Sequence, residues 1–589
     1  MSISKKRDGQ IYFKILRKSI IIGLFLLPVI LISFILGSAF IYLNVYNKEY
    51  SENLYVSMDE FMESDPVQLS ESAWLFENLM ETYSLPKNLT GDGWDYYPFV
   101  GLTFDFNPSS YGIVNDSTYM DAVNGNPLNT THPVNKIKHY TGFGHSIVYA
   151  GYGAIGEAFR YATLQRYGNL SGLTESRNFL LKIVKGFSML SEISDDGSMA
   201  RYVYPDTEIA RKYIPAHQFQ EDYGGTHCFF NKTHIGPNGK EYNFYCETGT
   251  SVDCYLGAYT GLGVIYKMCN DTEIRNLIRE TVDRMLTYHL NTGWRFIDED
   301  GKTHAMGAEA VNAFPLSDSA YCATFLRVGK TVYPEKWGPI YDDFLYNRLF
   351  AKKVGKHAQW DYFKIFPWSE NGGFFNVNLA TSLAITLCFL EDDPYLKKYY
   401  QDHYLEPLHD GTKYFRNPWF DAGYYLGMSI PDSSSYDSLI EIPNAERISS
   451  PDKKYIKSCV ADCLMRYALR KSSSRRFTHP NGKNSYTGNP NWSPIPSAPY
   501  PELETYESPN FRILENPIVK LLGSFYYPKE DMWNCSTPTD WQATTQWMWE
   551  HSPFEQNFDH GSGTEMPAPH DYTCPYWIGR YLGFDTLML

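Results

Sequence analysis

Acidic residues stand at the start of several predicted helices, and they are the side chains of this 589-residue chain best placed for chemistry. They are Asp253, Asp318, Asp421, Asp540 and Asp571. Two facing carboxyl groups can split a glycosidic bond when one protonates the leaving oxygen and the other activates water, across a gap of about 6.5–9.5 Å for inversion. Helix capping is the commoner role for any single one of them. Because several would meet at one mouth, we take Asp253 first, and then Asp540 and Asp571, as catalytic candidates.

Aromatic residues are abundant, with 48 Tyr, 35 Phe and 13 Trp. The C–H faces of sugars stack on aromatic rings, so a carbohydrate cleft is one reading of this composition. A large core explains the same composition equally well. The side chains that we predict to contact substrate are Tyr223, His227, Tyr255, Trp368, Trp419 and Trp541.

The helices that would carry these residues alternate in character. Predicted helices 142–167 and 251–268 are rich in small residues, whereas 175–193 and 272–290 are amphipathic. Gly257, Gly261 and Gly263 leave room for a neighbouring backbone. A ring of helical hairpins needs a covered inner layer and a half-exposed outer one. The pattern predicts a mainly α protein, an (α/α) toroid of about six helical hairpins; an open helical solenoid is the structural alternative.

A long uncharged segment precedes this region. Between Lys18 and Lys48 the chain runs 29 residues without a charge, and most of them are apolar. A membrane-spanning helix needs about 20 such residues, and a cleaved signal peptide has a shorter apolar core. Basic residues before the segment place the N-terminus in the cytoplasm. The prediction is a single-pass type II membrane protein whose C-terminal part is extracellular or luminal.

These features divide the chain into four predicted regions. Residues 1–18 form a cytoplasmic tail, and 19–44 form a transmembrane signal anchor. Residues 45–135 form a stalk that leads into the toroid, with one short helix near 69–83. Residues 136–589 form the toroid, and a long loop, 472–515, lies over its mouth.

Cysteines and glycosylation sequons agree with export. All ten cysteines follow the apolar segment, and an even number suits disulfides in an oxidising compartment. The candidate pairs are Cys228 with Cys246 and Cys535 with Cys574. Eight sequons also follow the segment and predict a glycoprotein; they are at Asn88, Asn115, Asn129, Asn169, Asn231, Asn270, Asn491 and Asn534.

Three stretches resemble a known class of proteins. The run ETGTSVDCYLGAYTGLG, residues 247–263, resembles the inner-helix segment of poorly characterised exported proteins of the (α/α) toroid glycosidase-like class. The runs WMWEHSPF, residues 547–554, and HDYTCPYWIGRY, residues 570–581, resemble the C-terminal signature of the same class. Val252 and Cys254 stand where those proteins carry Arg and Gln beside the acid that matches Asp253. The resemblance implies the toroid fold more than it implies the reaction.

The functional expectation is glycoside hydrolysis by paired carboxylates, with a glycan or polysaccharide as substrate and the membrane as a partner. Two alternatives remain open: a non-catalytic toroid that binds glycans or proteins, and a polysaccharide lyase or epimerase using Tyr223, His227 or Tyr255. We expect neither a cofactor nor a metal. A net charge of −15 argues against nucleic acid, which binds basic patches. The oligomeric state stays open.

Overall fold

The computed structural model describes most of the chain between residues 56 and 588. The described residues are Pro28, Ser33, 56–86, 88–92, 101–104, 137–194, 196–220, 229–236, 238–297, 315–347, 351–355, 373–429, 441–468, 536, 538–539, 542, 547–551, 553 and 565–588. The chain forms two units, of which one comprises Met1–Leu54 and Glu507–Tyr527. Every element below belongs to the other unit, Tyr55–Tyr506 with Pro528–Leu589.

Helices dominate this unit, which confirms the predicted mainly α class. Many of them begin at side chains that accept hydrogen bonds from free backbone N–H groups, as Asp271 and Asn417 do. The helices are α1 Pro66–Leu79, α2 Ser146–Arg166, α3 Leu170–Glu192, α4 Glu208–Tyr213, α5 Val252–Met268, α6 Thr272–Asn291, α7 Pro315–Val332, α8 Pro334–Asp342, α9 Gly373–Leu390, α10 Pro394–Tyr400, α11 Glu406–Thr412, α12 Pro418–Met428, α13 Ser450–Ala468 and α14 His570–Tyr581.

Six of these helices pack side by side in sequence order. Helix α2 packs on α5, α5 on α7, α7 on α9, α9 on α12, α12 on α14, and α14 returns to α2. The remaining helices lie against this set: α3 contacts α2 and α6, α8 contacts α7, and α13 contacts α12 and α14. Helix α1, which falls in the predicted stalk, packs on α13 and α14. Because the six form a closed succession, helices far apart in the chain, such as α2 and α14, are neighbours.

Helices α2 and α5 approach each other closely because small residues line their contact. A Cβ atom added to Gly257 would lie 2.5 Å from the Cα atom of Val148, and one added to Gly151 would overlap the Gly257 carbonyl. Real side chains do not tolerate such distances, so glycine is required at this crossing. The prediction that small residues in 251–268 admit a neighbouring backbone is confirmed.

Two small antiparallel sheets accompany the helices. The first has the strand order β2, β1, β6, formed by Ile137–Thr141, Gly101–Phe104 and Glu565–Met566. The second has the order β3, β5, β4, formed by Tyr202–Pro205, Glu241–Glu247 and Phe229–Ile235. In the second sheet Tyr202 is paired with Glu247. This register places the end of β5, just before α5, beside the start of β3.

The structure contradicts the predicted membrane anchor. Among the described residues no helix has the length and apolar character needed to cross a membrane. The segment that carried the prediction, 19–44, lies outside the described residues apart from Pro28 and Ser33. The prediction of a membrane protein with an extracellular or luminal domain is corrected accordingly.

The predicted disulfides are also wrong. Among the described residues no two cysteines form a disulfide, and all eight described cysteines, Cys246 and Cys574 included, are buried. Cys246 lies in the central strand of its sheet, and the backbone of Cys574 packs against Gly156 of α2, so both side chains belong to the core. Their predicted partners, Cys228 and Cys535, lie outside the described residues.

Four predicted glycosylation sites are described, and two of them make structural contacts. Asn169 caps α3 by accepting a hydrogen bond from the Gly172 N–H, and Asn270 accepts one from the Tyr161 hydroxyl. Asn231 is an exposed residue of β4, and Asn88 precedes a turn. The other four, Asn115, Asn129, Asn491 and Asn534, lie outside the described residues. Glycosylation of these residues stays a prediction, and it depended on the predicted export of the domain.

Candidate active site

Asp253 lies in the first turn of α5, where a carboxylate is favoured by the helix dipole. Its residue is 6% exposed. Ser251 is the N-cap residue, and no side chain makes a capping hydrogen bond at this helix end. The Nδ1 atom of His145 lies 3.9 Å from its Oδ2 atom. The carboxyl group is therefore not used for capping, and it faces a titratable neighbour.

A second carboxyl group reaches the same place from the other end of the chain. Glu550 ends a short 3₁₀ turn, Met548–Glu550. Asp571 anchors that turn by accepting the Met548 N–H at 3.2 Å on its carboxylate and the Trp549 Nε1–H at 2.8 Å on its carbonyl. Asn417 donates to the Trp549 carbonyl at 2.9 Å. The start of α14 and the start of α12 thus hold Glu550 in position.

Tyr149 connects Glu550 to the ring of helices. Its hydroxyl donates a 2.7 Å hydrogen bond to Glu550 Oε1. Burial raises the pKa of Glu550 to about 8; the Tyr149 hydrogen bond opposes that rise, and the charges of Asp253 and Asp571 add to it. Burial also raises the pKa of Tyr149 well above its usual value, and the Glu550 and Asp253 charges add to that shift. At neutral pH, therefore, Glu550 holds a proton and Tyr149 stays a neutral hydroxyl.

A stack of rings leads from the surface toward this pair. His145, whose side chain is 44% exposed, stacks on Tyr149 at 6.2 Å between ring centroids. Tyr149 stacks on His570 at 5.9 Å, and His570 stacks on Trp547 at 5.2 Å. Burial lowers the pKa of His570 to about 3, so this imidazole is neutral. The stack is a wall with one solvent-facing end, at His145.

Arg201 joins the loops that carry His145 and Asp253. Its guanidinium donates to the Gly144 carbonyl at 2.7 Å, to the Gly249 carbonyl at 2.7 Å and to the Ser251 hydroxyl at 2.9 Å. Arg201 is 4% exposed, and charge-assisted hydrogen bonds at such a site are strong. One side chain therefore fixes the residue before His145 and the N-cap of the helix that bears Asp253.

The other predicted site residues have different positions. Asp571 is fully buried and anchors the turn of Glu550, so its role here is structural. Tyr255 accepts the Met199 N–H and packs on His289 and Phe296 in the core. Trp419 is buried beside Trp547 and Tyr152, close to the site. Asp540, Tyr223, His227, Trp368 and Trp541 lie outside the described residues.

The sequence reading missed four residues of this site: Glu550, Tyr149, His145 and Arg201. Glu550 is the single acid in the aromatic run from Trp547 to His551, and a lone acid among aromatic residues is a signal that could have found it. His145 directly precedes a helix of small residues. Nothing in the spacing of Arg201 marked it, because its three partners lie in loops that only the fold brings together.

Comparison of the chain with protein-family models, with curated proteins and with solved structures finds no match in any of the three. The resemblance to toroid glycosidase-like proteins accordingly remains an expectation drawn from the residues alone.

Proposed function

We propose that this protein hydrolyses glycosidic bonds, with Glu550 as general acid and Asp253 as general base. The observation that carries the proposal is the buried carboxyl group of Glu550, which is hydrogen-bonded to Tyr149 and lies close enough to Asp253, at a helix start, for their charges to interact; burial raises the pKa of Glu550 to about 8. Glycoside hydrolysis uses this combination of one protonated and one ionised carboxyl group.

An (α/α) toroid is the scaffold that we propose for this reaction. The closed succession of six helices, from α2 through α14 and back to α2, supports it. The additional helices packed against that succession agree with an outer layer. In such a ring the starts of inner helices converge, as Asp253 of α5 and Tyr149 of α2 do near Glu550. The fold by itself does not imply the reaction, which rests on the carboxyl groups.

The acid step belongs to Glu550. Its pKa of about 8 keeps the carboxyl group protonated at neutral pH, so it can give the proton to the departing glycosidic oxygen. The carboxylate formed in that step is stabilised by the Tyr149 hydroxyl, which already donates to Oε1. Oε2 has no hydrogen-bond partner among the described residues, so it is the oxygen available to meet substrate.

Asp253 acts as the base. It takes a proton from a water molecule while the oxygen of that water attacks the anomeric carbon. His145 lies beside this carboxylate on its solvent side, and it can hold the water or receive the proton afterwards. Arg201 keeps the loops of His145 and Asp253 together throughout the cycle.

The lyase or epimerase alternative is less well supported by this geometry. Those reactions need a side chain that removes a proton from carbon, and tyrosine serves only if it ionises readily. The pKa of Tyr149 is shifted the opposite way, since burial and two nearby carboxyl groups disfavour its phenolate. The non-catalytic alternative would leave the acids spent on helix caps, which Asp253 is not.

The test is turnover of a glycan library by the purified full chain and by two variants. We expect hydrolysis by the parent chain and a loss of about 10²-fold or more in Asp253→Asn. Asp421→Asn is the matched control, because Asp421 is also a buried acid in the first turn of a ring helix, hydrogen-bonded to His409 at 3.0 Å. It should keep turnover within about threefold. Absence of hydrolysis across the library, or equal losses in both variants, would contradict the proposal.

A further inference from the structure

Several buried polar atoms of the ring helices and of the Glu550 turn have no hydrogen-bond partner among the described residues. Five residues, here called the interior polar cluster, each have one such atom: Asn378 Oδ1, Thr381 Oγ1, Trp419 Nε1, Trp547 Nε1 and Glu550 Oε2. Within the part of the chain that the structure describes, none of these atoms has a hydrogen-bond partner. Each of the five residues is at least nine-tenths buried. Buried polar groups are almost always hydrogen-bonded, so five unpartnered ones together indicate that a bound molecule supplies their hydrogen bonds.

Tyr152 contacts three members of the cluster, namely Trp547, Trp419 and Asn378. The Tyr152 ring packs on Trp547 at 4.4 Å and on Trp419 at 5.4 Å between centroids. Its hydroxyl accepts a 3.0 Å hydrogen bond from Asn378 Nδ2 and lies 3.0 Å from the Ser382 hydroxyl. Asn378, Thr381 and Ser382 share one face of α9, since they are three and four residues apart.

Glu550 connects this cluster to the proposed chemistry. Trp547 precedes the 3₁₀ turn that ends at Glu550, and its carbonyl accepts the Glu550 N–H at 3.4 Å. The ring of Trp547 also belongs to the aromatic stack that includes Tyr149 and His570. Trp547 also packs on Trp419 at 6.1 Å between ring centroids, and α9 packs against the turn that ends at Glu550.

The unpaired atoms have the chemistry of a site for hydroxyl groups. Two indole N–H groups donate, the amide oxygen accepts, and the threonine hydroxyl does both. A sugar ring carries hydroxyl groups that donate and accept, together with C–H groups that suit aromatic surroundings. The four groups besides Glu550 are neutral, and the nearby carboxylate of Asp253 would repel an anion.

We infer that the interior polar cluster is the subsite for one neutral sugar ring, whose glycosidic oxygen meets Glu550. This inference rests on the proposed hydrolysis and adds the substrate class, an uncharged glycoside rather than a uronate. Thr381 and Trp547 are its new binding residues, and Trp419 contributes its N–H edge rather than a stacking face.

The test is a titration of the full chain with sugars, in which binding is measured by tryptophan fluorescence and by calorimetry. The probes are the methyl glycosides of glucose, galactose, mannose, xylose and N-acetylglucosamine, each with a methyl glucuronide as the charged comparison. The variant is Thr381→Val, which removes one hydroxyl at nearly constant shape. Thr386→Val is its matched control, because Thr386 lies on the same helix, is equally buried and already donates to the Ser382 carbonyl at 2.8 Å.

We expect at least one neutral glycoside to bind, Thr381→Val to weaken it about 10-fold and Thr386→Val to change its Kd by less than about threefold. The glucuronide should not compete. Binding of no neutral glycoside, equal effects of the two variants, or preference for the glucuronide would overturn the inference, and the first outcome would leave ordered water as the occupant. Sugar binding that depends on Thr381 without any hydrolysis would keep the subsite and reject the proposed reaction.

Discussion

Two buried clusters of carboxyl groups each contact helix α2, and they differ in the groups that surround the carboxyl oxygens. In the first, Arg160 lies 3.0 Å from Glu77 and 3.2 Å from Glu157. In the second, Glu550 meets the Tyr149 hydroxyl and the charge of Asp253, and no cation contacts it among the described residues. Burial raises the pKa of Glu77 and Glu157 as it raises that of Glu550.

The comparison shows that a raised pKa alone does not mark an active site. The Arg160 cluster joins α1 to α2, and the Trp577 indole also donates to Glu77, so its carboxyl groups have a cation and an N–H donor beside them and serve packing. The Glu550 cluster has an unpaired oxygen, a second acid and a half-exposed histidine at its edge. Two equally buried carboxyl clusters can therefore be told apart by whether their oxygen atoms have partners and whether solvent reaches the cluster edge. These features indicate a catalytic role for the Glu550 cluster and a structural role for the Arg160 cluster.

The largest expected effect separates the two clusters by turnover. Glu550→Gln should lower kcat on unactivated glycosides by about 10²- to 10⁴-fold, because the leaving oxygen loses its proton donor. Glu157→Gln is the matched control on the other cluster and should keep kcat within about threefold, measured on folded protein. A large loss in Glu157→Gln would erase the distinction.

The second expected effect is a loss of stability when the Arg160 cluster is changed. Arg160→Leu leaves Glu77 and Glu157 buried without a cation, so we expect the free energy of unfolding to fall by about 3–5 kcal/mol at neutral pH. Urea denaturation measures this. Arg279→Leu, which removes a surface pair with Glu335, should cost no more than about 1 kcal/mol. Equal costs would mean that the Arg160 cluster is not a structural centre.

The third effect is a pH dependence of stability set by Glu550. The folded-state pKa of Glu550, about 8, is above its unfolded value of 4.5, so the folded protein binds an extra proton between these values. The free energy of unfolding must then fall as pH rises from 4.5 through 8. Glu550→Gln removes this term, and it should be more stable than the parent above pH 8, by roughly 1–3 kcal/mol. A variant that is less stable at every pH would show that ionised Glu550 is well accommodated.

The smallest effect concerns Tyr149. Its hydrogen bond lowers the pKa of Glu550, so Tyr149→Phe should raise that pKa. The alkaline limb of the kcat profile, where the acid loses its proton, should move up by roughly half a unit to one unit. If kcat falls in Tyr149→Phe but the pKa of the alkaline limb does not change, a group other than Glu550 produces that limb.

Local patterns predicted the helices well because their signals are local. The predicted helices 251–268 and 272–290 nearly coincide with α5 and α6. Small residues mark the first of them, whereas an amphipathic pattern and the N-cap residue Asp271 mark the second. A change of hydrogen-bond register inside a helix leaves no clear sequence pattern, and α10 is followed by such a change, the π-helical turn Gln401–Leu405.

The site could be predicted only in part. Asp253 was identified because it stands at a helix start, but Glu550 lies on a 3₁₀ turn without periodicity and reaches the site through the packing of α14 on α2. The disulfide prediction failed for a related reason. An even number of cysteines does not show which strands and helices become neighbours; Cys246, predicted to pair with Cys228, is buried in the central strand of a sheet, and Cys574, predicted to pair with Cys535, is buried on α14.

The most direct measurement of the central claim is the dependence of hydrolysis on leaving-group acidity. Parent and Glu550→Gln should be compared on a series of aryl glycosides of one neutral sugar. If Glu550 is the general acid, the variant should approach the parent rate on the most acidic leaving groups and lose about 10²-fold or more on the least acidic. A loss that is equal across the series would contradict the account, because Glu550 would then act on something other than the departing oxygen.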